Sequence, residues 1–203
     1  TGMAPIISAN KTMPAVDAYS SNLTTAVTDS VLKYTQTIAG ANRGMSWNLG
    51  ATYSKALAVA YFQWATSLDI QGLVLSEDAP TGSQATQNYL TNYMRILAFS
   101  YSSVTRLQKR ISTTYTTISA DTTIYPDNAV TSPVYGMAIY AEVGNPGVQK
   151  IFYKFGSTSQ WFQILAATDG ALTTGFQSVG VDTGYHAGND GRMIAPFYVW
   201  GAA

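Results

Sequence analysis

The segment from Asp182 to Arg192 is where side chains that could do chemistry lie closest together in this chain. It contains the single histidine, His186, with carboxylates on either side at Asp182 and Asp190. A histidine oriented by a carboxylate is a common pair for general acid–base catalysis. However, no serine or cysteine nucleophile motif accompanies it, and there is no second histidine at metal-ligand spacing. The many glycines predict a polar hairpin loop, so we expect neither catalytic residues nor a metal site.

Aromatic side chains form the second group of candidates. Tyrosine and tryptophan are frequent in residues 121–203. Their rings stack on the apolar faces of sugars, while neighbouring Asn and Asp side chains bind hydroxyl groups. The same rings are also common in protein interfaces. The candidate ligand-binding residues are Trp161, Tyr185, His186, Asn189, Asp190 and Trp200.

The chain carries unusually little charge. Charged side chains make up 11% of the 203 residues, against about 25% in an average soluble domain. Eleven basic and 11 acidic residues give zero net charge, which removes the repulsion that keeps copies apart. Residues 121–203 contain three basic and six acidic residues, giving −3, so residues 1–120 carry +3. We therefore expect self-association, with head-to-tail contacts favoured by the opposite charges.

The same composition argues against several other partners. The basic cluster Arg106, Lys109 and Arg110 is small, whereas a nucleic-acid-binding domain usually carries a broad basic face and net positive charge. The absence of cysteine excludes disulfides and thiolate metal sites. No uncharged apolar window of about 18 residues occurs, so no membrane-spanning helix is expected. We expect no nucleic acid, no cofactor and no spanning segment.

Before residue 121, apolar residues recur at spacings of three and four, which is typical of amphipathic helices. The middle stripe is apolar on most sides, which predicts a central helix with Leu57 in the core. The β-branched run 111–118 is also compatible with an extended chain. The spacings predict helices over 14–39, 49–68 and 84–118.

After residue 121 the pattern changes to short apolar runs separated by Gly, Asn, Asp and Pro, which indicates strands and turns. Pro196 cannot donate to a strand ladder, so we expect it at an edge or bulge. The predicted strands cover 134–142, 147–155, 160–167, 171–181 and 193–200.

These elements predict an α+β fold, with an N-terminal bundle of about three helices followed by a small antiparallel β-sheet or sandwich. The expected organisation is an extended N-terminal arm over 1–12, a helical region over 13–120 and a β-rich region over 121–203.

The uncharged, hydroxyl- and tyrosine-rich composition is typical of proteins that assemble or adhere. The leading hypothesis is a non-enzymatic structural subunit of an extracellular or virion assembly. It would associate with itself and with neighbouring virion or appendage proteins. The alternative is a receptor- or glycan-binding adhesion module that uses the aromatics of residues 121–203 to bind a surface glycan. A pore-forming protein that uses the predicted helix 49–68 and a hydrolase centred on His186 are further hypotheses.

Overall fold

The computed structural model of the chain describes residues 2–20, 23–36, 43–64, 70–79, 82–84, 90, 92–99, 104–122, 134–155, 160–183 and 190–203. These residues form strands and turns, and no helix occurs among them. Accordingly, this part of the chain has no helix that could cross a membrane.

The strands are numbered in chain order. They are β1 (Ala4–Ala9), β2 (Ala18–Ser20), β3 (Leu23–Thr28), β4 (Val31–Gln36), β5 (Arg43–Tyr53), β6 (Lys55–Trp64), β7 (Ile70–Ser76), β8 (Gly82–Gln84), β9 (Tyr93–Phe99), β10 (Val104–Ile111), β11 (Thr114–Asp121), β12 (Tyr135–Glu142), β13 (Gly147–Lys154), β14 (Phe162–Asp169), β15 (Phe176–Thr183) and β16 (Asp190–Ala202).

The strands form two eight-stranded sheets. The first sheet has the order β14-β13-β12-β6-β16-β4-β3, and β1 also pairs with β16. The second has the order β11-β10-β9-β7-β15-β5-β2-β8. Pairing is antiparallel except between the short strands β2 and β8, which run parallel. We call the face of each sheet that points away from the other sheet its outer face.

The core lies between the two sheets. Alternate residues of β6, from Ala56 to Phe62, point inward and are fully buried. Across the core, Trp47 of β5 packs against Phe197 of β16 with ring centroids 4.9 Å apart. The hydroxyls of Thr105 and Tyr153 hydrogen bond at 3.0 Å and tie β10 to β13. The two sheets therefore share one core in a β-sandwich.

The predicted α+β fold, with helices over 14–39, 49–68 and 84–118, is wrong. Strand β6 shows why: Leu57 and Val59 are apolar although they point outward, so both faces of the strand are apolar. A run that is apolar on both faces loses its period of two and resembles a buried helix. Leu57, predicted to be in the core, lies half-buried on the outer face. The pore-forming hypothesis loses the helix on which it depended.

The five strands predicted after residue 134 lie at β12 to β16. Four of them belong to the first sheet, where β6 lies between β12 and β16. Pro196 lies in the register shift between Ile194 and Tyr198, so it occupies an irregularity of the β16–β6 pairing. In the predicted arm over 1–12, residues 4–9 form β1 and pair with β16 of the same chain.

Candidate functional site

A buried group of polar and aromatic side chains lies on the outer face of the second sheet. Strand alternation places them there, because their chain neighbours Met94, Leu107 and Val181 point into the core. We call this group the polar cluster. Its members are Tyr93, Arg95, Gln108, Arg110, Tyr115 and Asp182.

Arg95 is held from two sides within the polar cluster. Its Nη1 donates to Asp182 Oδ2, and its Nε and Nη2 donate to Gln108 Oε1 at 3.1 and 2.9 Å. Gln108 Nε2 in turn donates to Thr117 Oγ1 at 3.0 Å. The strand between Arg95 and Asp182 is β7, and the residue in register with Asp182 there is Gly72. Arg95 itself is in register with Val74, so the ion pair crosses β7 diagonally, past a glycine that has no side chain.

Two tyrosines pack against the arginines of the polar cluster. Arg95 Cζ lies 4.4 Å from the ring centroid of Tyr115, and Arg110 Cζ lies 5.3 Å from it. The hydroxyl of Tyr93 donates to that of Tyr115 at 3.0 Å. Burial, with the charge of Asp182, raises the pKa of Tyr93. Burial is the largest single influence on Arg95 and lowers its pKa, but Asp182, Tyr93 and Tyr115 together outweigh it, so the pKa of Arg95 is raised.

The polar cluster is better suited to fix the sheet than to transfer protons. Asp182 is the one carboxylate of the polar cluster and is engaged by Arg95, so the cluster itself does not present the carboxylate pair of a glycosidase. Arg110 Nη1 donates to the carbonyl of Leu90. Arg110 Nε and Ser46 Oγ are buried without a hydrogen-bond partner among the described residues.

The outer face of the first sheet has a different character, because it carries half-buried aromatic rings from neighbouring strands. One register row runs Lys150, Tyr140, Leu57, Trp200 across β13, β12, β6 and β16. The next row runs Phe152, Ala138, Val59, Tyr198. We call this surface the aromatic face. Its rings are those of Tyr61, Tyr140, Phe152, Trp161, Tyr198 and Trp200.

Trp161 lies against the sheet at Gly136. A Cβ on Gly136 would lie 2.7 Å from Trp161 Cη2, so the indole can lie this close only because position 136 is glycine. Trp161 also meets Tyr61 edge-on, with centroids 6.0 Å apart. Lys154 Nζ lies 5.8 Å from the centroid of Tyr61, within the range of a cation–π contact.

Tyr198 and Trp200 form the other half of the aromatic face. They lie two residues apart on β16, and their ring centroids are 5.3 Å apart at an interplanar angle of 39°. The hydroxyl of Tyr198 donates to Asn10 Oδ1 at 2.5 Å. This bond orients the tyrosine ring beside the tryptophan.

A polar group borders the aromatic face at Glu142. Its Oε1 accepts hydrogen bonds from the Tyr140 hydroxyl and from Lys55 Nζ, the latter at 3.0 Å. These two bonds lower the pKa of Glu142. Burial, together with the bond to Glu142, raises the pKa of Tyr140 to about 12. Tyr140 is therefore a neutral donor at ordinary pH.

Of the six candidate ligand-binding residues, Trp161 and Trp200 lie on the aromatic face. Trp200 lies about 16 Å from Gly136, the residue beneath Trp161. The two positions are two strands apart across the sheet and four residues apart along the strands. Asp190 begins β16, paired with Thr35, but its side chain is outside the described part. The remaining three candidates fall outside the described residues: Tyr185, His186 and Asn189.

Sequence reasoning missed several residues of these two surfaces. Tyr61 was placed in a predicted helix, and its proximity to Gly136 and Trp161 depends on strand pairing. Arg110 falls within the predicted helix 84–118. Only Leu107 is apolar among residues 106–110, so the charge of Lys109 hides the alternation that places Gln108 and Arg110 on one face.

A metal centre is not apparent in the described ranges, where no group of three His, Asp or Glu side chains could hold an ion. Asp182 is the one member of the 182–192 segment whose carboxylate is described, and it binds Arg95. Within that part of the chain, its environment does not fit a calcium ligand, which needs several oxygen donors around one cation.

Comparisons with known proteins identify the fold. No family model matches the chain, and no curated protein matches it. The VIP36 exoplasmic/lumenal domain, solved with Ca²⁺ and Man3GlcNAc, has a TM-score of 0.61 at 14% identity and covers 89% of this chain and 85% of its own. The carbohydrate-binding module CBM66 from Bacillus subtilis has a TM-score of 0.53 at 12% identity, covering 84% and 97%. A Bacillus subtilis protein of unknown function with a galectin-like fold has a TM-score of 0.58 at 12% identity, covering 85% and 84%.

At these identities the likeness establishes the architecture, a galectin-like β-sandwich of the kind found in lectin domains. It replaces the predicted α+β class. It gives no support to the predicted homo-oligomer, or to a structural role in a virion.

Proposed function

We propose that this protein is a carbohydrate-binding domain and that the aromatic face is its binding surface. The observation that carries the proposal is the aromatic face itself, with six half-buried rings on one outer sheet face. Soluble domains seldom leave a large contiguous apolar patch exposed unless it contacts a partner. The six rings are partly accessible, so the aromatic face can contact a ligand that has apolar surface.

Sugars match the chemistry of this face. The C–H faces of pyranose rings stack on indole and phenol rings, and the hydroxyls need hydrogen-bond partners at the ring edges. Such partners are present: the Tyr140 hydroxyl lies at one border, and Tyr198 and Asn10 lie at another. The architecture shared with VIP36 and CBM66 supports a glycan rather than a protein ligand.

We further propose that the domain binds its glycan and does not catalyse a reaction on it. The single carboxylate described in the polar cluster is held in an ion pair, and Glu142 is held by Tyr140 and Lys55. An extracellular setting fits a glycan-binding role and is supported by the exoplasmic location in the name of the VIP36 domain.

Binding to a glycan panel that includes Man3GlcNAc, followed by calorimetry with the strongest ligand, tests the proposal. Trp161→Ala and Trp200→Ala should each weaken binding about tenfold or more, because central aromatic side chains dominate binding energy. Phe162→Ala is the matched control. Phe162 is 45% exposed but pairs with inward-facing Tyr153, so it lies off the aromatic face.

The control variant should bind like the wild type. If no glycan binds, or if the two tryptophan variants retain full affinity, the aromatic face is not a sugar-binding surface.

A further inference from the structure

Positive charge is concentrated on the outer face of the first sheet. By strand alternation this face carries five basic side chains and one acidic one among the strand residues whose side chains are described. The difference is +4 for these described side chains, a set that does not include the side chain of Asp190 at the start of β16. The basic residues are Lys33, Lys55, Lys150, Lys154 and Arg192, and the acidic one is Glu142.

The fold creates this asymmetry by engaging acidic groups elsewhere. Glu77 Oε1 accepts the backbone N–H groups of Thr173 and Thr174, both at 2.6 Å. The other acidic side chains with described partners bind backbone N–H groups or the cations of the second sheet. They are Asp17 with Asn48, Asp78 with Asn92, Asp169 with Lys109 and Asp182 with Arg95.

The lysines are interleaved with the rings. Lys150 and Lys154 flank Phe152 on β13, about 13 Å apart from first to last. Lys150 stands in register with Tyr140, and Lys154 lies over Tyr61. Glu142 pairs with Lys55. Neither Lys150 nor Lys154 is within ion-pair distance of a described carboxylate, although the charge of Lys150 contributes to lowering the pKa of Glu142.

We propose that the ligand of the aromatic face is an acidic glycan, one whose sugar rings carry carboxylate or sulfate groups. This inference rests on the proposed function and specifies its ligand. The rings take the apolar sugar faces, and Lys150 and Lys154 pair with the acidic groups. A second copy bound through the same face would bring two surfaces together on which basic side chains outnumber acidic ones among the described residues, and like-charge repulsion opposes this. An anionic ligand, in contrast, is attracted to this basic surface.

The test compares each acidic polysaccharide with its neutral form. Polygalacturonate and its methyl ester form the carboxylate arm, and a sulfated galactan and its desulfated form make the sulfate arm. We expect tighter binding of the acidic member in at least one arm. Raising salt from about 0.05 M to about 0.5 M should weaken that binding but not binding of the neutral form. A single-stranded oligouridylate serves as an unrelated polyanion.

Charge variants sharpen the test. Lys150→Gln and Lys154→Gln should each lower affinity for the acidic glycan about two- to fivefold, as expected for exposed ion pairs. Arg106→Gln removes one charge from the opposite side of the sandwich and should leave affinity unchanged. Glu142→Gln should raise affinity by a similar factor, and a folding defect cannot imitate that gain.

The outcomes separate this inference from the proposed function. Equal binding of acidic and neutral forms, unchanged in the lysine variants, overturns the inference and leaves glycan binding intact. Binding of oligouridylate as tight as that of the acidic glycan also overturns it, because the face would then recognise polyanions in general. If no polysaccharide binds, both proposals are wrong.

Discussion

Replacing Asp182 with asparagine should destabilise the protein strongly. The Arg95–Asp182 ion pair is nearly inaccessible, with side-chain exposures of 4% and 10%. Asparagine keeps the shape and one oxygen acceptor but removes the negative charge. The guanidinium would then remain buried without a counter-charge. An unpaired buried charge is the main reason why breaking a buried ion pair is destabilising.

The magnitude follows from what remains around Arg95. Losing one partner of a buried ion pair typically costs about 3–5 kcal/mol. Here Gln108 still accepts from Nε and Nη2, and the ring of Tyr115 lies 4.4 Å from Cζ, so part of the cation's stabilisation survives. We therefore expect Asp182→Asn to lower the free energy of unfolding by about 2–4 kcal/mol.

Urea titration of four proteins measures this effect: the wild type, Asp182→Asn, Arg95→Met and the double variant. Because the double variant contains no buried cation, it should be less destabilised than the sum of the single variants. Asp29→Asn, an exposed carboxylate in the β3–β4 turn at φ 46°, is the matched control and should change stability by less than about 0.5 kcal/mol. A loss below about 1 kcal/mol in Asp182→Asn would refute the reasoning, because it would mean that Arg95 does not depend on this carboxylate.

Three further perturbations test the core, the aromatic face and the pH response. Phe62→Ala should cost about 3–5 kcal/mol in urea titration, and Leu57→Ala less than about 2 kcal/mol, because only Phe62 points into the core; equal costs would contradict the assigned faces. Gly136→Ala should displace the Trp161 indole, change tryptophan emission and weaken glycan binding, while changing stability by only about 1 kcal/mol; unchanged emission would count against the close approach. The lowered pKa of Glu142 stabilises the fold above its ordinary value of 4.5, and this contribution is lost as pH falls through the lowered pKa. Glu142→Gln should therefore lose less stability than the wild type between pH 7 and about pH 3.

The sequence after residue 134 contained enough local information to locate its strands. Turns at Gly144–Gly147 and at Asp169–Gly170 interrupt the chain, and residues such as Ile151 and Tyr153 alternate with Lys150 and Lys154. Alternation of this kind indicates a strand with one buried face. It does not indicate which strand pairs with it, so the position of β6 between β12 and β16 could not be predicted.

The spacing of apolar residues before residue 121 predicts helices where the chain forms strands, and the reason is physical. The outward positions Leu57, Val59 and Tyr61 are apolar because they form part of the aromatic face. The feature that hid the strand is therefore the feature that we assign to ligand binding. The abundance of threonine and valine around β3 and β4 was the better signal, since β-branched residues favour strands.

The candidate site was predictable only where its residues lie in the alternating part of the chain. Trp161 and Trp200 could be selected as aromatic residues in or beside predicted strands. Tyr61 joins them through register pairs with Gly136 and Ile194, which are separated from it by more than 70 residues of chain. Such long-range pairing is set by the complementarity of whole sheets, which no local window of sequence contains.

Under the proposed function, the polar cluster contributes mainly to stability and the aromatic face to ligand binding. In the polar cluster each of the three guanidinium nitrogens of Arg95 already donates a hydrogen bond within the protein, so a ligand there would have to displace buried hydrogen bonds. On the aromatic face the rings are half-buried and the ammonium groups of Lys150 and Lys154 have no described ion-pair partner, so a ligand displaces mainly water. Asp182→Asn should accordingly reduce stability while leaving the glycan affinity of the folded protein unchanged. Trp200→Ala should do the reverse, and a variant of either face that changes both properties equally would show that the faces are coupled.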